Sequence, residues 1–278
     1  MDNLNNVDHI RTKSFSNYPK PNKVKKNWLK NIYDNTLITE LSIPGTHDSC
    51  SKFGYYLGTT QSWTIKDQLN AGIRYLDFRC VNVRDIILIF HGVLYQYVSL
   101  SDLFETIENF LNSNNDEFVI VRIREEDKPV EATMSFKEVF LKYYNAYKDI
   151  ILRTETYPTV KDLRGKIFII QDNVDIDCFY YRDFIIQDYF EIDKISIDKK
   201  IQYIKDYMNI ANNTDKNNMV VNHFSGTAIV KLLFPYRIAL KTNQVAFESD
   251  KYKKLGIMIF DFPGEDLIEY IINKNKNL

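Results

Sequence analysis

The chain has 278 residues, of which 45% are hydrophobic and 26% are charged, and its formal net charge is −1. This length allows one large core, since about 250 residues is a usual size for a barrel that forms a single domain. A near-neutral chain has no global basic field, so we expect no nucleic-acid partner. With only 9 Gly and 7 Pro, long disordered linkers are excluded as well.

The N-terminal segment, residues 1–26, is polar and ends in the basic stretch KPNKVKK. It contains no apolar stretch typical of a signal peptide, and we expect it to form a solvated arm. The folded domain is expected over residues 27–278. No run of about 18 apolar residues occurs, so the sequence predicts no membrane-spanning helix. Its three cysteines fit neither a disulfide framework nor a CxxC metal pattern.

Seven short runs rich in β-branched and aromatic residues alternate with helical patterns. In chain order they are LITELSIPG, GIRYLDFRC, DIILIFHG, EFVIVRIREE, KIFIIQD, MVVNHFSG and LGIMIFDFPG. Between the third and fourth runs, SLSDLFETIENFLNSN places its apolar residues on one helical face, with Ser101 as the expected N-cap. Strands that alternate with helices pair in parallel, so we predict a single-domain α/β fold, a distorted or incomplete (β/α)8 TIM barrel. The short link between the second and third runs predicts a hairpin-like distortion there.

Polar residues stand at the ends of most of these predicted strands. In chain order they are His47 and Asp48, Asp77 and Arg79, His91, then Arg122, Arg124 and Glu126, then Asp172, and finally Asp261. Active sites of such barrels lie at the carboxyl ends of the strands, so these side chains are expected to converge at one mouth. Each alone also fits a structural role, such as turn chemistry or a surface ion pair. Their convergence is what indicates a site.

Two histidines, an arginine and several aspartates suit the cleavage of a phosphodiester. The guanidinium fork of arginine matches phosphate oxygens. One histidine would remove a proton from the attacking hydroxyl, and the other would protonate the leaving oxygen. A buried aspartate would hold the basic histidine in the required tautomer. A catalytic metal held by histidines and carboxylates is the alternative, although Arg79 in the middle would repel a cation.

Three motifs together resemble the bacterial type of phosphatidylinositol-specific phospholipase C, the X-domain family. They are LSIPGTHDS, QLNAGIRYLDFR and FHGVLYQYVSLSDLFETIENFL, and LRGKIFIIQD and GIMIFDF fit later strands of that family. The resemblance runs from about residue 28 to residue 275. It implies a distorted TIM barrel and a reaction in which the inositol 2-hydroxyl attacks phosphorus. Diacylglycerol leaves, and the resulting cyclic 1,2-phosphate is opened slowly by water.

The resemblance also implies roles for the residues at the strand ends. His47 would be the general base, oriented by Asp261, and His91 would be the general acid, assisted by Asp48. Arg79 would bind the phosphate at the place where eukaryotic relatives hold calcium.

Asp77, two residues before Arg79, would support the charge network of the site. Arginine at this position matches the bacterial, metal-independent type, so we expect no metal and no cofactor.

For the inositol subsite, the resemblance points to Arg124, Asp188 and Phe190. Phe190 would stack under the ring, at a position where the family usually has tyrosine. The chain departs from the family near the fifth strand, where Gln171 and Asp172 stand in place of an arginine that contacts inositol. This departure leaves the selectivity for the head group open.

The expected ligand is the head group of phosphatidylinositol or of a glycosylphosphatidylinositol-type lipid, bound by a monomer in transient contact with a membrane surface. Candidate membrane contacts are Tyr55, Tyr56 and Leu57, and Leu232, Leu233, Phe234 and Tyr236. The second group also fits a buried amphipathic helix. The resemblance implies a secreted protein, but no signal peptide is visible, so a cytoplasmic or peripheral membrane location stays open.

Three other functions remain alternatives at this point. One is a metal-dependent phosphodiesterase of the glycerophosphodiester or sphingomyelin type, and Arg79 argues against it. The second is a non-catalytic domain that binds inositol phospholipids. A glycosidase is remote, because the adjacent Glu125 and Glu126 point to opposite faces of a strand.

Overall fold

The computed structural model describes residues 9–54, 58–228, 230–231 and 233–278. Within these ranges the strands are β1 (Ser42–Thr46), β2 (Tyr75–Val83), β3 (Ile86–His91), β4 (Leu94–Ser99), β5 (Val119–Glu125), β6 (Ile167–Asp172), β7 (Phe179–Tyr180), β8 (Ile185–Gln187), β9 (Val220–His223) and β10 (Gly256–Phe260). The α-helices are α1 (Ile65–Ala71), α2 (Leu100–Ser113), α3 (Phe136–Ala146), α4 (Val160–Leu163), α5 (Ile197–Asn213), α6 (Pro235–Thr242) and α7 (Glu265–Asn273).

The strands form one sheet in the order β7-β6-β5-β2-β1-β10-β9-β8, and every neighbouring pair on this path is parallel. β3 and β4 leave the path, because β3 pairs antiparallel with β2, and β4 antiparallel with β3. This curled parallel sheet with its helices is a distorted TIM barrel, so the predicted fold class is confirmed. The hairpin-like distortion expected after the second predicted strand is present as the antiparallel pair of β2 and β3.

The polarity of one sheet face rises from one end of the strands to the other. Tyr75 pairs with Ile120 and belongs to a buried apolar cluster. Asp77, two residues further along β2, lies on the same face, and Arg79 follows after two more residues. The opposite face of β2 carries Leu76, Phe78 and Cys80, which pack in the cluster that includes residues of α1, α2 and α3. The alternation along β2 therefore brings charged side chains to the carboxyl end of an apolar interior.

A glycine in β1 allows this strand to lie close to β2. A Cβ atom added at Gly45 would lie 2.9 Å from Cβ of Tyr75, closer than two such atoms pack. His47 follows Gly45 by two residues, so the close approach of β1 to β2 helps to determine the position of His47.

The expectation of a solvated arm is wrong for Ser14–Ser16, which are buried. Phe15 is fully buried and packs on Phe262 with ring centroids 5.5 Å apart. The Ser16 amide donates to the Phe262 carbonyl at 3.0 Å, and the Gly264 amide donates to the Ser14 carbonyl at 3.0 Å. Burial of Phe15 removes a large apolar surface from water and helps to hold this segment on the loop after β10. Lys23 also pairs with Asp266 and Glu269 of α7.

Several elements escaped the sequence patterns. The strands β4, β7 and β8 were not predicted, and the N-cap of α2 is Ser99 rather than Ser101, since the Ser99 side chain accepts from the Asp102 amide. Ser99 forms a capping box with Asp102, and the prediction chose Ser101, two residues later, instead. In the part of the chain that the structure describes, no helix combines the length and the apolar character needed to cross a membrane.

Candidate active site

The carboxyl ends of β1, β2, β3 and β10 surround a cleft of about 340 Å³. Its lining consists of His47, Asp48, Thr60, Arg79, His91, Arg124, Asp188, Phe190, Gly226, Thr227, Pro235 and Asp261. Eight of the nine site residues proposed from the sequence are in this lining. The ninth, Asp77, lies beneath it, fully buried and within 3.6 Å of Nε of Arg79.

His47 follows β1 and is held at both ring nitrogens. Nδ1 lies 2.9 Å from Oδ1 of Asp261, and Nε2 lies 2.8 Å from Nη2 of Arg79. A guanidinium has only donors, so Nε2 must accept, and the proton of the neutral ring is on Nδ1, directed at Asp261. The contact across 214 residues that barrel closure was expected to create is therefore present.

The backbone around His47 is fixed on both sides. Its amide donates to the Phe260 carbonyl at 3.0 Å, and its carbonyl accepts from the Gln61 side chain at 2.8 Å. Burial lowers the pKa of His47, but the neighbouring Asp261 carboxylate outweighs it, and the net pKa is raised above the usual value. The Asp261 carboxylate is therefore the main group that favours the protonated form of His47.

Arg79 ties the charged groups of the cleft together. Its Nε lies 2.9 Å from Oδ1 of Asp48 and 3.6 Å from Oδ2 of Asp77. Its Nη1 lies 3.4 Å from Glu126, the residue after β5, to which the sequence analysis assigned no role. Although burial opposes it, these carboxylates raise the pKa of Arg79 further, so the group is a permanent cation.

Asp48 adopts a left-handed backbone conformation with φ of 43°, which is uncommon for a residue with a side chain. Its amide donates to Oδ2 of Asp77 at 3.1 Å, and this bond helps hold the turn. Oδ2 of Asp48 lies 3.5 Å from Nε2 of His91 and 3.9 Å from Nε2 of His47. Among the described residues this oxygen accepts no hydrogen bond, so it faces both imidazoles. Burial raises the pKa of Asp48 against the opposing effect of Arg79.

His91 ends β3 on the side of the cleft opposite Asp261. Its Nδ1 lies 2.7 Å from the Gly58 carbonyl and 3.0 Å from Oγ of Ser51. A carbonyl only accepts, so Nδ1 carries a proton and Nε2 is the nitrogen that faces the cleft and Asp48. This is the geometry of a group that can exchange a proton at Nε2.

Asp77 is anchored by a second buried arginine. Nη1 of Arg122 lies 3.3 Å from Asp77, and Nη2 lies 2.5 Å from Asp172. Burial opposes ionisation of Asp77, but Arg122 and Arg79 outweigh it and hold its pKa well below the usual range. Asp77 therefore stays charged and partly balances the positive charges of Arg79 and Arg122.

The three residues expected to bind the head group, Arg124, Asp188 and Phe190, line the same cleft. Arg124 and Asp188 are partly exposed there, at 35% and 29% of their side chains. Burial raises the pKa of Asp188, but the imidazole of His223 and the cations nearby outweigh it, and the pKa is about 2. Phe190 is about half exposed in the cleft, whereas the ring of Tyr189 stacks on Tyr203, with centroids 4.3 Å apart.

Gln171 and Asp172, which stand where the family has an arginine, do not line the cleft. The Gln171 side chain is buried and donates to the Ile176 carbonyl, so it shapes the loop after β6. Asp172 is the ion partner of Arg122.

Sequence reasoning missed His223 and Tyr181. His223 is the last residue of β9, and its ring centroid is 6.0 Å from that of His47. Tyr181 lies in the 3-10 turn Tyr181–Asp183 and contacts His223. The strand-end rule that identified His47 would also have found His223 in MVVNHFSG, had it been applied to that run.

The membrane candidates Tyr55, Tyr56, Leu57 and Leu232 lie outside the described residues. Leu233 and Tyr236 are partly buried and pack against small apolar clusters of the protein. For these two residues, the structure favours packing within the fold. Within the described ranges, no group of three or more His, Cys, Asp and Glu residues is arranged to hold a metal ion.

The fold and the site together define a class: a distorted TIM barrel whose cleft gathers two histidines, two arginines and three aspartates at the ends of its strands. The family model PI-PLC_X, described as PI-PLC X 1, matches residues 35–255. A 1-phosphatidylinositol phosphodiesterase of Listeria monocytogenes is 34% identical over 294 residues, which cover 95% of this chain and 90% of that protein. The chain therefore belongs to the PI-PLC X family.

Solved structures agree with this assignment. The phosphatidylinositol-specific phospholipase C from Listeria monocytogenes matches with a TM-score of 0.80 and 32% identity, over 91% of this chain and all of that one. The F249X mutant of the Staphylococcus aureus phosphatidylinositol-specific phospholipase C matches with a TM-score of 0.79 at 22% identity, over 90% of this chain and 98% of that one. The second similarity is one of fold.

Proposed function

We propose that this chain is a phosphatidylinositol-specific phospholipase C that needs no metal and forms diacylglycerol and inositol 1,2-cyclic phosphate. The observation that carries the proposal is the arrangement of His47 between Asp261 and Arg79, with His91 across Asp48. The names of the relatives from Listeria monocytogenes support the substrate class. Action on glycosylphosphatidylinositol-type lipids, a monomeric state and the absence of nucleic-acid binding remain predictions.

The first step is the attack of the inositol 2-hydroxyl on phosphorus. His47 is neutral with its proton on Nδ1. The lone pair on Nε2 takes the proton of the hydroxyl when substrate replaces the contact with Nη2 of Arg79, while the guanidinium itself stays in place. Asp261 then faces the imidazolium that forms and stabilises its charge. The new bond joins the 2-oxygen to phosphorus.

The second event is the departure of the glycerol oxygen. For this, His91 must carry a proton at Nε2 in addition to the one at Nδ1, and it gives that proton to the leaving oxygen. The Asp48 carboxylate lies 3.5 Å from Nε2 and balances the charge of the protonated ring. The bond from phosphorus to the glycerol oxygen breaks, and diacylglycerol leaves as a neutral alcohol.

Arg79 supplies the positive charge that the phosphate needs in the transition state. A fixed cation aimed at the site of developing charge stabilises it without reorganisation. Asp48, Asp77 and Glu126 hold the guanidinium from three directions, which leaves its position determined before substrate arrives. This preformed cation supports a reaction without a metal ion.

The proposal is tested by incubating the protein with phosphatidylinositol vesicles in excess EDTA and following phosphorus NMR. We expect the resonance of a five-membered cyclic phosphodiester to appear first, at a rate that EDTA does not change. Activity that vanishes with the chelator and returns with Ca²⁺ would contradict the assigned role of Arg79. Binding of the vesicles without turnover would favour the alternative of a non-catalytic domain.

A further inference from the structure

A buried pair of side chains lies behind the part of the cleft that contains Asp188. His223 is fully buried, and Tyr181 is 5% exposed. The Tyr181 hydroxyl lies 2.6 Å from Nε2 of His223, and Nδ1 of His223 lies 3.7 Å from Oδ1 of Asp188. Neither His223 nor Tyr181 lines the cleft, so neither takes part in the chemistry proposed above.

The hydrogen-bond pattern fixes the tautomer of His223. Burial lowers its pKa to about 3, so the ring is neutral near pH 7. Burial also raises the pKa of Tyr181, so its hydroxyl keeps its proton. If the hydroxyl donates to Nε2, the imidazole proton is on Nδ1 and faces the carboxylate of Asp188. The opposite arrangement would turn the Nδ1 lone pair toward a negative charge and leave the hydroxyl proton without an acceptor.

Within the described residues, Nδ1 of His223 has no hydrogen-bond partner. A buried polar group without a partner is rare and calls for an explanation. The separation of 3.7 Å from Asp188 is longer than a hydrogen bond, but polar contacts in a site without substrate are often long and shorten when substrate binds. A small shift of Asp188 toward the ring of His223 would complete this contact.

A second set of contacts sets the spacing between the two groups. Gln187, the residue before Asp188, donates to Oδ1 of Asn222 and to the carbonyl of His223, both at 2.8 Å. Its side-chain oxygen accepts from Nζ of the buried Lys200 at 2.9 Å. These bonds connect the end of β8 to the end of β9 and so fix the spacing between the backbones that carry Asp188 and His223.

We propose that His223 and Tyr181 are positioning residues for Asp188. Tyr181 keeps the proton on Nδ1 of His223, and this N–H closes onto the Asp188 carboxylate when an inositol ring is bound. The carboxylate is then oriented with its other oxygen toward the ring hydroxyls. The inference rests on the proposed function for the identity of the ligand, a polyhydroxylated ring, and it adds residues that determine how firmly that ring is held.

A double-mutant cycle tests this role. Tyr181→Phe removes the hydroxyl and keeps the ring that lies 3.8 Å from the guanidinium carbon of Arg122. We expect the KM for phosphatidylinositol to rise about tenfold with little change in kcat, because the lost contact aids binding in ground and transition states alike. In an Asp188→Asn background the same change should have no further effect. An equal rise of KM in both backgrounds would overturn the proposal, since a general structural role does not act through Asp188.

The control is Tyr180→Phe, the neighbouring tyrosine, which is 37% exposed and lies outside the cleft. It should leave KM unchanged. A rise of KM with this variant equal to that of Tyr181→Phe would also overturn the proposal.

Nitrogen NMR of ¹⁵N-histidine-labelled protein tests the tautomer without any activity. We expect His223 to show a protonated Nδ1 at pH 7, a mixture of tautomers in Tyr181→Phe, and a shift of the Nδ1 signal when myo-inositol is added. If phosphatidylinositol is not cleaved but these signals are seen, the proposed enzyme activity fails and the positioning role is supported. A proton on Nε2 of His223 in the unaltered protein would overturn the inference even in an active enzyme.

Discussion

The two walls of the cleft are built in different ways. The phosphate wall, formed by His47, Asp48, Arg79 and His91, is held by charged contacts, two of them at 2.8 to 2.9 Å. The head-group wall is formed by Asp188, Phe190, Gly226 and Thr227, from the segments that follow β8, a strand of three residues, and β9. Arg124, the other residue expected at the head group, belongs to β5. The carboxylate of Asp188 in this wall lies 3.7 Å from Nδ1 of the neutral imidazole of His223. The proposed proton transfers need fixed charges, whereas the proposed binding of a ring allows its wall to adjust as the ring binds.

The largest effect is expected from removing the base on the phosphate wall. His47→Ala should lower kcat by about 10⁴, within the range for an acid–base group that acts with partners. Steady-state rates on phosphatidylinositol measure this. His9→Ala is the control, since His9 is exposed and lies outside the cleft, and it should retain full activity. Turnover near the unaltered rate in His47→Ala would end the mechanism.

The next effect in size is expected from changing the shape of the cation while keeping its charge. Arg79→Lys should reduce kcat by about 10³, because an ammonium cannot replace a guanidinium that contacts His47 and Asp48 through two nitrogens. Arg84→Lys provides the matched control, because Arg84 forms an exposed ion pair with Glu131 and does not line the cleft. If Arg79→Lys loses no more activity than Arg84→Lys, the shape of the cation is irrelevant.

A smaller effect, with a change in pH dependence, is expected at the carboxylate behind His47. Asp261→Asn should lower kcat/KM by about 10². The carboxylate raises the pKa of His47, so its removal lowers that pKa. Because the base works only when it is unprotonated, activity is lost as pH falls through this pKa, and the acid limb of the profile should move to lower pH. If the acid limb of the profile stays in place, the limb reports the titration of a group other than His47.

The smallest effect is expected on the head-group wall. Phe190→Ala should raise KM about fivefold and leave kcat nearly unchanged, because stacking contributes modestly to binding. The neighbour Tyr189 is equally exposed but stacks on Tyr203 instead, so Tyr189→Ala is a matched control. Equal rises of KM in Phe190→Ala and Tyr189→Ala would contradict a specific role of Phe190 in binding the inositol ring.

The walls also differ in how well the sequence predicted them. The phosphate wall follows long runs of alternating residues, and His47 and Arg79 stand at recognisable strand ends. Position along such a strand determines which face a side chain occupies. The meeting of these side chains at the barrel mouth can therefore be inferred from their positions in the sequence. The short strands β7 and β8 have too few residues for a period to be detected, and Asp188 rested on resemblance.

Other features depend on contacts that a pattern does not contain. The docking of Phe15 on Phe262 joins residues that are far apart in sequence, and the segment around Phe15 is polar. The pairing of Arg122 with Asp77 and Asp172 was likewise invisible, because a strand-end arginine fits both a ligand site and a buried ion pair.

The division of labour between the two histidines is tested most directly by changing the leaving group. The rates of His47→Ala and His91→Ala are compared on phosphatidylinositol and on the 4-nitrophenyl ester of myo-inositol 1-phosphate, whose nitrophenolate leaves without a proton. We predict that His91→Ala loses about 10³ in kcat on the lipid and tenfold or less on the ester, while His47→Ala loses the same factor on both. Equal losses on the two substrates for His91→Ala would contradict its role as the general acid.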